Sequence, residues 1–426
     1  MKNTLIEQNQ HWQNKPYKSI KREALSKLIS YLPLKQIITI TGIRRCGKST
    51  LAKQAINHLI ESGVEAKNIF FINLENPIFL EYKHDASFLN VIYEEYLKLM
   101  NPTGKIYCIF DEIQYFENWQ VCIKSKYESS DIKYIITGSN SSMLSNELNT
   151  LLSGRSLNIH LSTFSFREFL DYKQISYANE FEQIANKIQI ARAKDEYLKW
   201  GGFCEVFEVE DEIIKKEILI NYVKNIIYQD IVPRYGIRNS HTVERLFFYL
   251  LSNATTLLNY TTLATTFEIS DKSIKEYINY FEDTFMLRRL DKFHNKPKER
   301  IKSFKKIYAM DNGFLQIAPK FSANLGNSLE NLVFTVLNQK HQEIYYLKEL
   351  QEIDFLCEDT LYQVSYDISE AKTRQRELGS FSHFNKEGKY KNLLITYDTN
   401  ENMQDVEVVS FERFIFKNLM NNFAVS

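Results

Sequence analysis

The sequence predicts an α/β protein in which a parallel sheet comes first, a helical lid and a winged helix follow, and a second α/β domain completes the chain. Three observations carry that prediction. An apolar run, Ile37 to Ile40, leads into Gly42-Ile43-Arg44-Arg45-Cys46-Gly47-Lys48-Ser49-Thr50, after which Leu51, Ala52, Ala55, Ile56 and Leu59 recur at helical spacing. About sixty residues later a second apolar run ends abruptly in two carboxylates, Asp111 and Glu112. Beyond residue 165 the pattern turns helical, and beyond residue 310 strands and helices alternate again. The expected division is 1–165, 166–240, 241–310 and 311–426.

At 426 residues the chain is too long for one ordinary core. Aromatics at 14%, with 13 Gly and 7 Pro, fit packed globular domains rather than disorder. The 53 basic and 53 acidic residues cancel, so any attraction for nucleic acid or anionic membrane must be local. Five cysteines without a Cys-x-x-Cys pair read as reduced thiols, not as zinc ligands or a disulfide framework. Met1 to Asn14 is polar and lacks a signal-peptide core, and no apolar run approaches the ~20 residues that span a bilayer. A cytoplasmic protein with no membrane partner is expected.

Gly42 and Gly47 bracket four residues before Lys48 and Ser49, the G-x-x-x-x-G-K-[ST] spacing of a P-loop set between strand and helix. Glycines let successive N–H groups turn inward and the helix N-terminus adds positive potential, so Gly42 to Thr50 form a cradle for a polyphosphate. Lys48 is expected to reach the β- and γ-phosphates of a bound nucleotide. Ser49 is expected to ligate Mg²⁺, with Thr50 as a second hydroxyl in the first helical turn. Cys46 is either a thiol activated by the loop amides or a small residue at a permissive position.

A helix over Ser19 to Tyr31 precedes the P-loop strand. Asn68 to Glu75 reads as a second strand, followed by a break at Pro77 and a helix from about Ala86 to Met100. The strand from Lys105 ends in the Walker B pair. Parallel strands present their C-terminal ends to one crevice, so Asp111 should arrive beside the P-loop and hold Mg²⁺, while Glu112 polarises the attacking water. The competing reading is a buried strand whose acids cap the next helix. Lys133 to Ser139 is a further buried strand suited to a place beside Walker B. There Thr137, Ser139 or Asn140 either touches the third phosphate or forms a turn. Arg155, after Leu152-Ser153-Gly154, is either a charge-stabilising finger or an ordinary ion-pair arginine.

Ser165 and Glu168 form a capping box that ends the nucleotide domain and opens a helix. From Asn179 to Tyr235 the pattern is helical, with breaks at Gly201-Gly202 and Pro233. Helices at Val243 to Asn253, Thr261 to Phe267 and Asp271 to Met286 are spaced as in a helix-turn-helix, and the third sets Ile274, Tyr277, Ile278, Phe281 and Phe285 on one face. Residues 288–306 carry nine Lys or Arg against two acids and read as two strands joined by a turn at Asn295-Lys296-Pro297-Lys298. Such a wing either grips DNA phosphates without reading bases or is a solvated charge run on a packing module.

Gly326 to Gln339 reads as a helix, and five strands come after it. Glu330, Asp354 and Gln363-Val364-Ser365 stand in the order in which metal-dependent nucleases place Glu, Asp and Glu-x-Lys. Gln363 and Ser365 replace the second acid and the lysine. Nuclease activity is therefore not expected unless a lysine arrives from elsewhere.

Together these segments resemble a family of prokaryotic AAA-type ATPases related to archaeal ATPases. The residues that carry the resemblance are the P-loop, Phe110-Asp111-Glu112-Ile113-Gln114, Thr137-Gly138-Ser139, Leu152-Ser153-Gly154-Arg155, Gly201-Gly202-Phe203, Gln229-Asp230-Ile231, Tyr308-Ala309-Met310-Asp311, Glu352-Ile353-Asp354-Phe355 and Gln363-Val364. The resemblance implies an AAA-like P-loop domain, a winged helix and a C-terminal α/β domain similar to restriction endonucleases, often degenerate, with ATP binding and hydrolysis as the activity. The expected function is Mg²⁺-dependent ATP hydrolysis coupled to a conformational change of the later domains. The alternative is a nucleotide-gated adaptor for DNA or protein with slow hydrolysis. Arg155 acts within its own subunit or across to a neighbour in a homo-oligomer; the sequence leaves both open.

Overall fold

The first sheet has the strand order β2-β3-β4-β1-β5, with β1 Ile37–Thr41, β2 Ile69–Asn73, β3 Ile106–Asp111, β4 Ile132–Gly138 and β5 Ser156–His160. All four pairings are parallel. The computed structural model describes residues 1–141, 154–319, 324–403 and 405–420. They form two compact units, Met1–Thr163 with Asp283–Phe285, and Phe164–Glu282 with the chain from Met286 onward.

In the first unit β1 is buried along its whole length, which suits its β-branched Ile and Thr residues in a strand covered on both faces. The helix Lys48–Glu61 follows the P-loop and buries Leu51, Ala52, Ala55, Ile56 and Leu59, the stripe read from the sequence. β4 lies between β3 and β1, so the strand carrying Thr137 separates the P-loop strand from the Walker B strand. The outer edge of β2 is covered by side chains from the N-terminal residues. Asn9 Nδ2 donates to Phe71 O at 2.8 Å and its Oδ1 accepts from Phe71 N at 2.8 Å. Asn73 N donates to Gln8 Oε1 at 2.6 Å, and Trp12 Nε1 donates to Ile69 O at 2.9 Å. An exposed strand edge is a template for foreign strands, and here its polar groups are already spent.

The second unit opens with helices. The capping box is formed: Ser165 Oγ accepts from Glu168 N, and the Glu168 side chain accepts from Ser165 N. The chain breaks at Gly201-Gly202 as expected, but it stays helical through Pro233. A π-helical turn Ile226–Ile231 runs into the short helix Val232–Tyr235, and the break falls at Gly236. Pro233 stands at the junction of these two segments. Three helices come next, Ser240–Ser252, Tyr260–Phe267 and Asp271–Asp283. The third buries Ile274, Ile278 and Phe281, whereas Tyr277 is half-buried and Phe285 lies beyond its end.

The strands of this unit are β6 Leu287–Lys292, β7 Lys305–Ala309, β8 Tyr345–Lys348, β9 Glu352–Cys357, β10 Thr360–Ser365, β11 Lys391–Thr396, β12 Glu401–Asn402 and β13 Glu407–Ser410. They make one mixed sheet in the order β12-β13-β11-β10-β9-β8-β6-β7. The boundary expected at 310 therefore does not separate the expected wing from the C-terminal strands. β6 pairs antiparallel with β7 on one side and parallel with β8 on the other, at Asp291–Tyr345 and Lys292–Tyr346, so the hairpin is an edge of the larger sheet. Residues Pro297–Lys302 between β6 and β7 are helical, not a plain turn.

Candidate functional site

The P-loop leaves β1 at Thr41 under two steric constraints. A Cβ on Gly42 would lie 2.0 Å from the Leu161 carbonyl oxygen, so the close approach of the neighbouring chain requires glycine. Gly47, at φ 97°, is in the left-handed region, and a Cβ there would meet the Arg22 guanidinium at 2.7 Å. Arg22 is buried behind the loop. It donates to Cys46 O at 2.5 Å and Ser162 O at 2.8 Å, which ties the loop to the chain beyond β5. Nothing in Lys21-Arg22-Glu23 distinguishes this arginine from a solvated charge run. Its signal exists only in three dimensions.

Lys48 is 3% exposed, and its ammonium is shared among Gly42 O at 3.2 Å, Ile43 O at 3.3 Å and Glu112 Oε1 at 3.2 Å. Ser49 Oγ donates to Asp111 Oδ1 at 3.0 Å, and Thr137 Oγ1 donates to the same oxygen at 2.7 Å. Asp111 Oδ2 is buried with no hydrogen-bond partner among the described residues. The parallel register explains the meeting, because β3 and β1 end at the same edge of the sheet with β4 between them. Thr137 is spent in holding this pair: it also accepts from Glu112 N at 2.9 Å.

The electrostatics follow from burial. Burial raises the Asp111 pKa, and the neighbouring Glu112 charge adds to the rise, to about 6 against the hydrogen bonds from Thr137 and Ser49. Burial also pushes Glu112 up, but the Lys48 ammonium and the Gln114 amide override it and hold Glu112 below the usual carboxylate range. Lys48 is held above its ordinary value because Glu112, with Cys46 and Asp111, outweighs its own burial. Cys46 is 3% exposed and its thiol is raised by burial, which favours the reading of a small packed residue over a thiol activated by loop amides.

The other loop residues divide by direction. Arg44 turns away from the loop to Glu75 Oε1 at 2.6 Å and the Tyr115 hydroxyl at 2.9 Å. Arg45 takes the left-handed conformation at φ 70° and is exposed. Ile43 is buried and contributes its carbonyl to Lys48, and Thr50 follows Ser49 in the first turn of the helix. Arg155 is not brought to this site. β5 runs parallel to β1 with Ser156 opposite Ile37 and His160 opposite Thr41, so Arg155 stands at the opposite edge of the sheet from the P-loop. At ~3.3 Å per residue the separation along the strand is roughly 15 Å. Its guanidinium pairs with Glu128 at 2.5 Å, and the finger expected of it is not supplied to the site of its own chain. Leu152 and Ser153 of the same motif lie outside the described residues.

The chain is similar to known proteins in two segments. Residues 34–170 match an AAA domain family, and residues 191–325 match a domain of unknown function, DUF8612. An uncharacterised protein of Haemophilus influenzae is 31% identical over 398 residues, covering 90% of this chain and 95% of the relative. An uncharacterised protein of Methanocaldococcus jannaschii is 31% identical over 417 residues, covering 94% of this chain and 90% of the relative. The chain belongs to the family of these AAA-domain proteins. Among solved structures, a Walker-type ATPase of Pyrococcus abyssi aligns with 72% of this chain and 99% of its own, at 12% identity and a TM-score of 0.44.

Outside the AAA domain, the second unit gathers the acids that the sequence aligned with nucleases. Lys306 on β7 pairs with Glu330 at 3.1 Å, Glu352 at 2.5 Å and Asp354 at 3.4 Å. Tyr308 also donates to Glu330, at 2.8 Å, and Asp354 Oδ2 accepts from Val364 N at 2.9 Å. Gln363 faces Glu377 at 2.7 Å, and Ser365 turns to the Asp367 carbonyl at 3.0 Å. A lysine from elsewhere is thus present, supplied by the strand read as part of a basic wing. It is ion-paired with all three acids, and the described residues contain no cluster of three or more His, Cys, Asp or Glu side chains arranged around a metal position.

Besides Lys306, several basic side chains of residues 288–306 are engaged within the unit, two of them with carboxylates. Arg289 donates to Glu282 at 2.9 Å, Arg300 to the Tyr345 hydroxyl at 2.6 Å and Lys305 pairs with Asp291 at 2.7 Å. Arg288 is held by Asn338 and the Gln342 carbonyl. No helix among the described residues is long and apolar enough to cross a membrane.

Proposed function

We propose that the AAA domain binds ATP with Mg²⁺ and hydrolyses it, and that turnover drives a conformational change in the second unit. The observation that carries this reading is the meeting of Ser49 and Asp111 at 3.0 Å beside Lys48, with Asp111 Oδ2 buried and unpartnered among the described residues. A carboxylate oxygen buried without a donor is costly, and a hard divalent cation is the ligand that suits it. Ser49 and Asp111 would hold that cation, which neutralises charge on the β- and γ-phosphate oxygens when bound.

The chain's own groups then have distinct tasks. Amides of Gly42 to Thr50 cradle the phosphates, and Lys48 exchanges its partners Gly42 O, Ile43 O and Glu112 for phosphate oxygens. Glu112, freed on one oxygen, takes a proton from water as that water's oxygen bonds to the γ-phosphorus. The bond to the β-γ bridging oxygen breaks and ADP leaves with the electron pair. Thr137 fixes Asp111 and the Glu112 backbone and is a positioning residue in this scheme. Arg155 serves, if at all, a neighbouring subunit of a homo-oligomer.

DNA contact through residues 288–306 is the weaker reading, since five of the nine basic side chains there, Arg288, Arg289, Arg300, Lys305 and Lys306, are already engaged within the unit. The three-helix segment is better read as a packing module, with the β6–β7 hairpin forming part of the sheet of a degenerate nuclease-like domain. The cytoplasm, which supplies ATP and keeps thiols reduced, fits the five free cysteines. Calorimetry with Mg²⁺ and a non-hydrolysable ATP analogue, together with phosphate release from ATP, tests the proposal. Lys48→Ala should weaken binding roughly 10- to 100-fold, the scale of lost charged hydrogen bonds. Wild-type protein that binds no nucleotide would overturn it.

A further inference from the structure

Gln114 takes no part in the proton transfer assigned to Glu112, yet it is the residue most closely engaged with that carboxylate. Glu112 itself is held in the left-handed region at φ 54°, a conformation that costs a non-glycine residue free energy and persists only where its surroundings enforce it. Its N–H is fixed by Thr137 Oγ1, and the 3₁₀ turn Ile113–Tyr115 brings the Gln114 side chain back over the Glu112 carboxylate. The two carboxylate oxygens are then divided. Lys48 takes Oε1 at 3.2 Å, and Gln114 Nε2 donates to Oε2 at 2.5 Å.

The same Gln114 Nε2 lies 3.0 Å from Ser139 Oγ, just past the end of β4. The orientation of the amide is fixed by chemistry, because only the NH₂ end can face a carboxylate. That leaves Gln114 Oε1 buried with no donor among the described residues. A packing residue would not carry this cost: leucine or methionine fills similar space without an unsatisfied acceptor. No described residue satisfies this acceptor, and the water consumed in phosphoanhydride hydrolysis is a donor that would.

We propose that Gln114 is the positioning residue of the general base: its amide bridges Glu112 and Ser139 and keeps the Glu112 carboxylate in place when nucleotide draws Lys48 away. The inference rests on the reading of this site as an ATPase. Lys48 is the partner that substrate binding removes, and Gln114 is the partner that stays. A base held by one ion pair alone would be released into rotamer freedom at the moment it is needed; a second hydrogen bond on the other oxygen prevents that.

The test uses the full chain and four proteins: wild type, Gln114→Leu, Glu112→Gln and the double variant. Gln114→Leu should lower kcat about 10-fold or more while KM and the affinity for a non-hydrolysable analogue stay within about 3-fold. In the Glu112→Gln background the same change should have no further effect on kcat, because a residue that acts through Glu112 has nothing left to position. A merely structural role would multiply the two losses. Unchanged kcat in Gln114→Leu, equal losses in affinity and kcat, or multiplicative loss in the double variant would each overturn the inference and leave the ATPase reading standing. Turnover by Lys48→Ala equal to wild type would overturn both.

Discussion

The Lys48 ammonium and the Glu112 carboxylate form a buried ion pair at 3.2 Å, so the residue expected to bind phosphate and the residue expected to activate water hold each other. Both are almost wholly removed from solvent, at 3% and 8% exposure. A buried pair of this kind is strongly destabilised when one partner is lost, yet its net worth is small because both charges were taken out of water. In the proposed reading an incoming triphosphate competes with Glu112 for Lys48, and the pair is a threshold that substrate must cross.

Glu112→Gln should therefore have two opposite effects. It removes the competitor for Lys48 and should tighten binding of a non-hydrolysable ATP analogue about 3- to 10-fold by calorimetry. It also removes the base and should slow phosphate release by about 100-fold or more. Weaker analogue binding in this variant would mean that Glu112 assists nucleotide capture instead of opposing it.

Arg22 offers a prediction that separates geometry from charge. Its fork reaches the Cys46 and Ser162 carbonyls together, at 2.5 and 2.8 Å, while Gly47 leaves room for it. A lysine is a point donor and cannot span both acceptors in the same way. Arg22→Lys should lower stability in urea unfolding by about 1–3 kcal/mol through the acceptor left unsatisfied, and should weaken analogue binding because the P-loop loses its rear support. A variant indistinguishable from wild type in both measurements would show that the loop holds its shape without the guanidinium fork.

His11 supplies a pH dependence. It is 1% exposed, its Nε2 lies 3.0 Å from Ile69 O and its Nδ1 lies 3.1 Å from the Tyr17 hydroxyl. A carbonyl can only accept, so the neutral ring carries its proton on Nε2. Burial lowers the pKa to about 4 against an ordinary value of 6.5. Between those values the unfolded chain binds more protons than the folded one, so stability rises with pH through the window and is lost as pH falls from about 6.5 towards 4, by up to about 3 kcal/mol. His11→Gln should flatten this slope relative to wild type in urea unfolding between pH 7 and pH 4.5. Equal slopes in the two proteins would assign the acid sensitivity to other groups.

Much of the AAA domain is legible in the sequence because each strand ends where its chemistry begins. Thr41 and Asp111 close apolar runs, and parallel pairing brings such strand ends to one edge. What the sequence hides is direction and pairing. Arg155 stands close to β1 in the sheet but at its wrong end, which only the register with Ile37 reveals. Thr137, read from the sequence as one of three residues that either touch the third phosphate or form a turn, is bonded to Asp111, a partner set by a buried carboxylate that periodicity does not report. The hairpin of β6 and β7 reads as a separate wing because its charges look solvated, whereas Lys306 points into a cluster of acids more than twenty residues further along the chain.

That cluster carries the last prediction. Lys306 is 3% exposed and compensates Glu330, Glu352 and Asp354, while burial, reinforced by Glu330, pushes the Asp354 pKa well above its ordinary value. If the lysine serves to neutralise buried acids, Lys306→Met leaves them uncompensated and should cost about 3–5 kcal/mol in unfolding experiments. Adding Glu330→Gln should then recover part of the loss, because one of the stranded charges is removed with its shape conserved. Plasmid incubated with Mg²⁺ or Mn²⁺ should remain intact with every variant and with wild type. Cleavage by wild type that disappears in a stably folded Lys306→Met protein would instead make this amine part of a working phosphodiester site.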